Sequence, residues 1–168
     1  SKRYRDFPQD DRQDRQYGMG GLGLELTYVA FAYVLTGDET YAGCKERFLT
    51  MASWPMGGWS SPEGANPDGD KWETHLTGYL GLFYDWLYHE LTPAERAVIR
   101  GSIEWRLDYS LNSFAWRKRG GTLVSLGSIA MSCGSHPYEC TMVSIPGALA
   151  ICDESEIGRK SLEIALHY

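Results

Sequence analysis

The sequence predicts an all-α protein built from stacked antiparallel helical hairpins, and three observations carry that prediction. Apolar residues recur at helical spacing through most of residues 22–168. No run alternates apolar and polar residues for the length of a useful strand. Three short junctions, LTGDETY (35–41), ELTPAER (90–96) and ICDESEI (151–157), each separate a more apolar helix from a more amphipathic one. That is a repeat of αα-hairpins, with the apolar helices inside and the amphipathic ones outside.

In the first helix Leu22, Leu24, Leu26, Val29, Ala30, Phe31, Val34 and Leu35 leave little polar face, and Gly37 follows as a stop. Asp38 offers an N-cap for a second helix over 39–53, with Tyr41, Cys44, Phe48, Leu49 and Ala52 at helical spacing. A turn-rich connection, 54–69, leads to a third helix at about 70–90. The fourth has the clearest start, with Thr92 as N-cap, Pro93 at the first helical position and Glu95 closing a capping box. It runs to about Asn112. A Gly-rich connection (113–134) precedes a fifth helix over about 137–152, with a kink expected at Pro146–Gly147. Asp153 and Glu156 open the sixth. Residues 1–21 read as an N-terminal arm rich in Arg, Asp and Gln, and 22–168 as one helical domain.

The net charge of −6 argues against a nucleic-acid binder. No stretch is apolar for long enough to span a membrane. The polar start, SKRYRDFPQDDRQDRQ, lacks the apolar core of a signal peptide, although a mature secreted protein would begin the same way. Cys44, Cys133, Cys140 and Cys152 show no zinc spacing, and no metal or cofactor is expected. Cys133 and Cys140 could pair or stay free thiols, and the sequence decides neither. Six Trp and eleven Tyr suit either core volume or stacking on sugar rings.

The runs AYVLTGDETYAGCKERFLTMASW, GLFYDWLYHELTPAERAVIR and SHPYECTMVSIPGALAICDE resemble the N-terminal part of heparinase II/III-like polysaccharide lyases. The shared marks are Tyr84-Asp85-Trp86-Leu87-Tyr88 before Leu91-Thr92-Pro93, and His136 with Glu139 as a His-x-x-Glu. The resemblance implies that the hairpins form part of an incomplete (α/α) toroid. It also implies a secreted or periplasmic enzyme that cleaves a heparin-, heparan sulfate- or alginate-like uronate polymer by β-elimination. Such chemistry neutralises the C6 carboxylate, removes the C5 proton with a base and protonates the O4 leaving group.

On that implication His136 and Glu139 are the catalytic candidates. His136 would be the base or the donor that neutralises the carboxylate, and a protonated Glu139 could hydrogen-bond it. The competing reading places His136 near an N-cap, Pro137 at the first helical position and Glu139 at the third, serving only the helix start. Trp116, Arg117 and Arg119 form a basic cluster suited to an anionic chain, or else a solvated loop. Tyr138 and Asn66 complete the substrate-binding candidates with His75, which either faces the cleft or sits as a core histidine. Asp85 is expected to be a buried structural acceptor rather than a catalytic carboxylate. The family's catalytic tyrosine is expected on a following hairpin beyond Tyr168. The rest of the toroid and a β-sandwich are therefore expected as partners in the same protein, and the chain alone should show little lyase activity. Two other classes compete: an α/α-toroid glycoside hydrolase using carboxylates such as Glu63, Asp68, Asp70 and Glu139, and a non-catalytic helical-repeat module that binds sugar or protein.

Overall fold

A computed structural model describes residues 23–53, 71–109 and 135–166, with the side chains of 71–74, 109, 135–141 and 166 outside the description. The N-terminal arm and both long connections lie outside it too. Every regular element among the described residues is helical: α1 (Gly23–Thr36), α2 (Cys44–Ala52), α3 (Lys71–Trp86), α4 (Pro93–Tyr109), α5 (Ser135–Ile151) and α6 (Glu156–Leu166), with 3₁₀ turns at Glu39–Tyr41 and Tyr88–Glu90. The all-α class is as the sequence predicts.

The helix ends follow local chemistry. Gly37, at φ +64, ends α1 in the left-handed conformation, and its N–H donates to the Tyr33 carbonyl at 2.8 Å. Asp38 caps as expected, but its carboxylate accepts from both the Thr40 N–H (2.9 Å) and hydroxyl (2.8 Å). That closes a 3₁₀ turn, so the α-helix begins only at Cys44. The capping box is present: the Thr92 N–H donates to Glu95 Oε2 at 2.7 Å, and the Glu95 N–H to Thr92 Oγ1 at 3.3 Å. For α6 the cap is Ser155, whose hydroxyl accepts from the Gly158 N–H at 3.3 Å, rather than Asp153. Helix α5 runs unbroken through Pro146.

The six helices pack in two layers. α3 lies between α1 and α5 in the inner layer, and α4 lies between α2 and α6 in the outer one. The core is one cluster that runs from Leu26 and Ala30 through Phe48, Leu76, Leu80 and Phe83 to Ile99, Ile103, Ala148 and Ile151. Phe48 and Phe83 stack at 4.2 Å across it. The tightest contact is between α3 and α5. A Cβ on Gly78 would stand 2.1 Å from the Val143 carbonyl oxygen, and one on Gly81 2.5 Å from the backbone of Pro146 and Gly147. Glycine therefore sets how closely these two helices approach.

The outer helices share one register. Cys44 and Phe48 of α2 are buried like Ile99 and Ile103 of α4, and the next residues, Lys45 and Arg100, both reach the following hairpin. Lys45 pairs with Glu95 at 3.0 Å and donates to the Glu90 carbonyl at 3.1 Å. Arg100 pairs with Glu154 at 2.8 Å. The Thr92 N–H first, and Lys45 second, hold the Glu95 carboxyl below its ordinary value. We expect Glu95→Ala, which removes the cap and the bridge together, to lower stability, read as a fall in the urea midpoint. Because the folded value is lowered, the difference should be full at neutral pH and fade as the pH falls below 4.5.

Candidate functional site

The inner helices run parallel. Gly23 meets Tyr79, and Phe31 lies 5.2 Å from Trp86, so α1 and α3 advance together; Gly78 meets Val143 and Gly81 meets Gly147, so α3 and α5 do the same. All three N-termini consequently lie at one end of the inner layer. Both long connections, 54–70 and 110–134, join outer helices to this end.

This topology brings part of the candidate set to one place. His75 is in the second turn of α3, half-buried, with its ring 6.2 Å from that of Tyr79. By the α3–α5 register, His75 lies level with the early turns of α5, where the backbone carries His136, Tyr138 and Glu139. The side chains of those three residues are outside the described part. Asn66, Trp116, Arg117 and Arg119 lie outside the described residues altogether, in the connections that lead to this end. One detail shifts from expectation. Because α5 starts at Ser135, Glu139 is its fifth residue and stands past the first turn, which weakens the pure capping reading of that carboxylate.

Asp85 requires a correction. It is exposed, not buried, and the buried member of the Tyr-Asp-Trp run is its neighbour Tyr84. The Tyr84 hydroxyl donates to both oxygens of Glu154, at 3.0 and 3.1 Å, in the turn between α5 and α6. Arg100 closes the triad from α4. Burial first, and the Glu154 hydrogen bond second, push the Tyr84 phenol up to about 12. A phenol held neutral this firmly is a poor proton shuttle near pH 7, so Tyr84 is a structural tie between hairpins. The neighbouring Glu90 carboxylate raises a second phenol, that of Tyr33, above its ordinary value.

No protein family, curated protein or solved structure matches this chain. The residues must therefore argue for themselves. Among the described residues no group of His, Cys, Asp and Glu is arranged to hold a metal ion, and no helix is long and apolar enough to cross a membrane. Cys44 and Cys152 are free thiols, and burial raises that of Cys44. An open groove of about 440 Å³ lies between α2 and α4, lined by Leu49, Ala94 and Val98 with Glu46 and Glu95. Its carboxylates have the wrong sign for an anionic sugar, and it belongs to the outer layer.

Proposed function

We propose that this chain is part of a polysaccharide lyase that cleaves a uronate-containing polymer by β-elimination, its hairpins forming part of an (α/α) toroid. The observation that supports the reading best is the convergence of three parallel inner helices. Their N-terminal ends share one end of the layer, where α3 contributes His75 and α5 contributes the backbone of His136, Tyr138 and Glu139. Helix N-termini carry partial positive charge, which favours an anionic polymer there. The connections bearing Asn66, Trp116, Arg117 and Arg119 lead to the same end. In this reading His136 takes the C5 proton or holds the C6 carboxylate, Glu139 and His75 steady that carboxylate, and the basic cluster guides the chain. No described residue is assigned as the proton donor to O4; the Tyr84 hydroxyl is committed to Glu154 near the opposite end of α3.

The test incubates the protein carrying this chain with heparin, heparan sulfate and alginate, and follows the ultraviolet absorbance of the unsaturated uronate product. Absorbance should rise for one of the polymers and fall to background in His136→Ala, with the helical circular dichroism unchanged. New reducing ends without that absorbance would assign hydrolysis. Retained binding with neither product, insensitive to His136→Ala, would assign a binding module. Either result would overturn the lyase reading.

A further inference from the structure

The inner layer packs one side on the outer helices, and along its other side α1 and α3 form a groove. α3 sends Leu76, Leu80 and Phe83 into the core, where Phe83 stacks on Phe48 of α2. At the spacing 75, 79, 82, 86 it leaves His75, Tyr79, Leu82 and Trp86 half-buried, in one row along the helix. α1 buries Gly23, Leu26, Thr27 and Ala30 and leaves a second row, Leu24, Tyr28, Phe31 and Leu35, exposed. The two rows turn toward each other. Phe31 lies 5.2 Å from Trp86, and Tyr79 seats against Gly23, where a Cβ would stand 2.4 Å from its ring. Burial first, and the nearby Tyr28 phenol second, raise the Tyr79 phenol above its ordinary value, so the two hydroxyls share this groove.

What lines the groove decides what fits it. Tyr28 is 65% and Phe31 46% exposed, so solvent reaches aromatic faces that packing within the chain does not use. Tyr28 and Tyr79 set hydroxyls beside these faces, which a groove built only to seat an apolar helix does not need. Among the described residues no acid stands in either row. Glu25 shares its row with Val29, and Asp85 shares its row with Gly78 and Gly81 on the α5 side. A negatively charged sugar therefore meets no like charge along the described groove. Its C–H face is apolar and rests on an aromatic ring while its hydroxyls stay in water. The α3 row ends at His75, level with the candidate residues of α5, so the groove is continuous with the candidate site.

We propose that the groove between α1 and α3 is a sugar-binding subsite, with Tyr28 and Phe31 stacking on rings of a uronate polymer that runs along the inner face toward His75. The class of polymer rests on the lyase reading, but the contact is read by binding rather than by cleavage. Ring stacking supplies the affinity here, so the contribution of Tyr28 persists in salt, whereas a contact driven by charge weakens as ions screen it.

Fluorescence anisotropy of end-labelled hexasaccharides of heparin, heparan sulfate and alginate, read before turnover on the protein carrying this chain, tests the subsite at low salt and at about 0.5 M salt. One of the three should bind. Tyr28→Ala should weaken that binding about fivefold at both salt concentrations, and adding Phe31→Ala should weaken it further, with the helical circular dichroism unchanged. Tyr28→Phe, which keeps the ring, should bind nearly as wild type. Binding of none of the three, equal binding by Tyr28→Ala and wild type, or a Tyr28→Ala loss that vanishes at high salt would each overturn the proposal. Absorbance of the unsaturated product separates the two readings. Tyr28-dependent binding without that product keeps the subsite and removes the lyase, whereas cleavage with the same KM in Tyr28→Ala and wild type keeps the lyase and removes the subsite.

Discussion

Gly81→Ala should lower the stability of this protein by about 3 kcal/mol, the upper part of the usual range for overpacking. The added Cβ would stand 2.5 Å from the Gly147 nitrogen and Cα and from the Pro146 carbonyl carbon. All three are backbone atoms, so no side-chain rotation relieves the clash and α5 as a whole must move. That movement would open the most extensive helix contact in the fold and disturb Ala148 and Ile151, which lie in the shared core. Thermal unfolding should show the effect as a drop of roughly 6–12 °C in Tm, given about 2–4 °C per kcal/mol for a chain of this size. Gly101→Ala is the matched control. Gly101 lies inside α4 with nothing within 4 Å of a built Cβ, so the same change there should raise stability by about 0.5–1 kcal/mol through helix propensity. If both variants melt together, the close α3–α5 approach is wrong.

The contrast between these glycines shows what the sequence could and could not reveal. Both stand inside helical patterns, and nothing local separates a glycine that admits a neighbouring backbone from one that faces water. The partner of Gly81 is distant in the chain, and only the packed helices bring it near. Local chemistry was legible for the opposite reason. The Thr92–Glu95 box and the Gly37 stop are decided within a few residues, and both are present as expected. Asp85 failed by one position. At about 100° per residue, an apolar run such as Tyr84-Asp85-Trp86-Leu87 does not fix which member turns inward, and tertiary packing chose Tyr84. For the candidate site, the spacing of His136 and Glu139 was visible, and the parallel inner helices add that His75 shares their end. That neighbourhood could not be read from the sequence, because it follows from hairpin order rather than from any motif.

The Tyr84–Glu154–Arg100 triad supplies the other large effect. Glu154→Ala should cost about 1–2 kcal/mol, because the Tyr84 phenol loses its acceptor and Arg100 loses a partly exposed counterion in one step. Tyr84→Phe removes only the donor, keeps the buried ring and leaves the Arg100 pair, so it should cost about 1 kcal/mol. The double variant should cost less than the sum of the two, since the phenol–carboxylate bond is counted in both. The pH dependence separates this tie from ordinary packing. The folded phenol ionises near 12 and the unfolded one near 10.0, so the folded chain holds the extra proton in between. Stability from this group is therefore complete below pH 10 and falls as the pH rises toward 12, by about 1.4 kcal/mol per unit across that window. Urea midpoints measured at pH 9, 10 and 11 should decline in the wild type, and the decline should be shallower in Tyr84→Phe. Equal slopes in the two proteins would mean that Tyr84 is not held neutral by the junction acid. The third hairpin would then be fastened to the second by apolar packing and the Arg100–Glu154 pair.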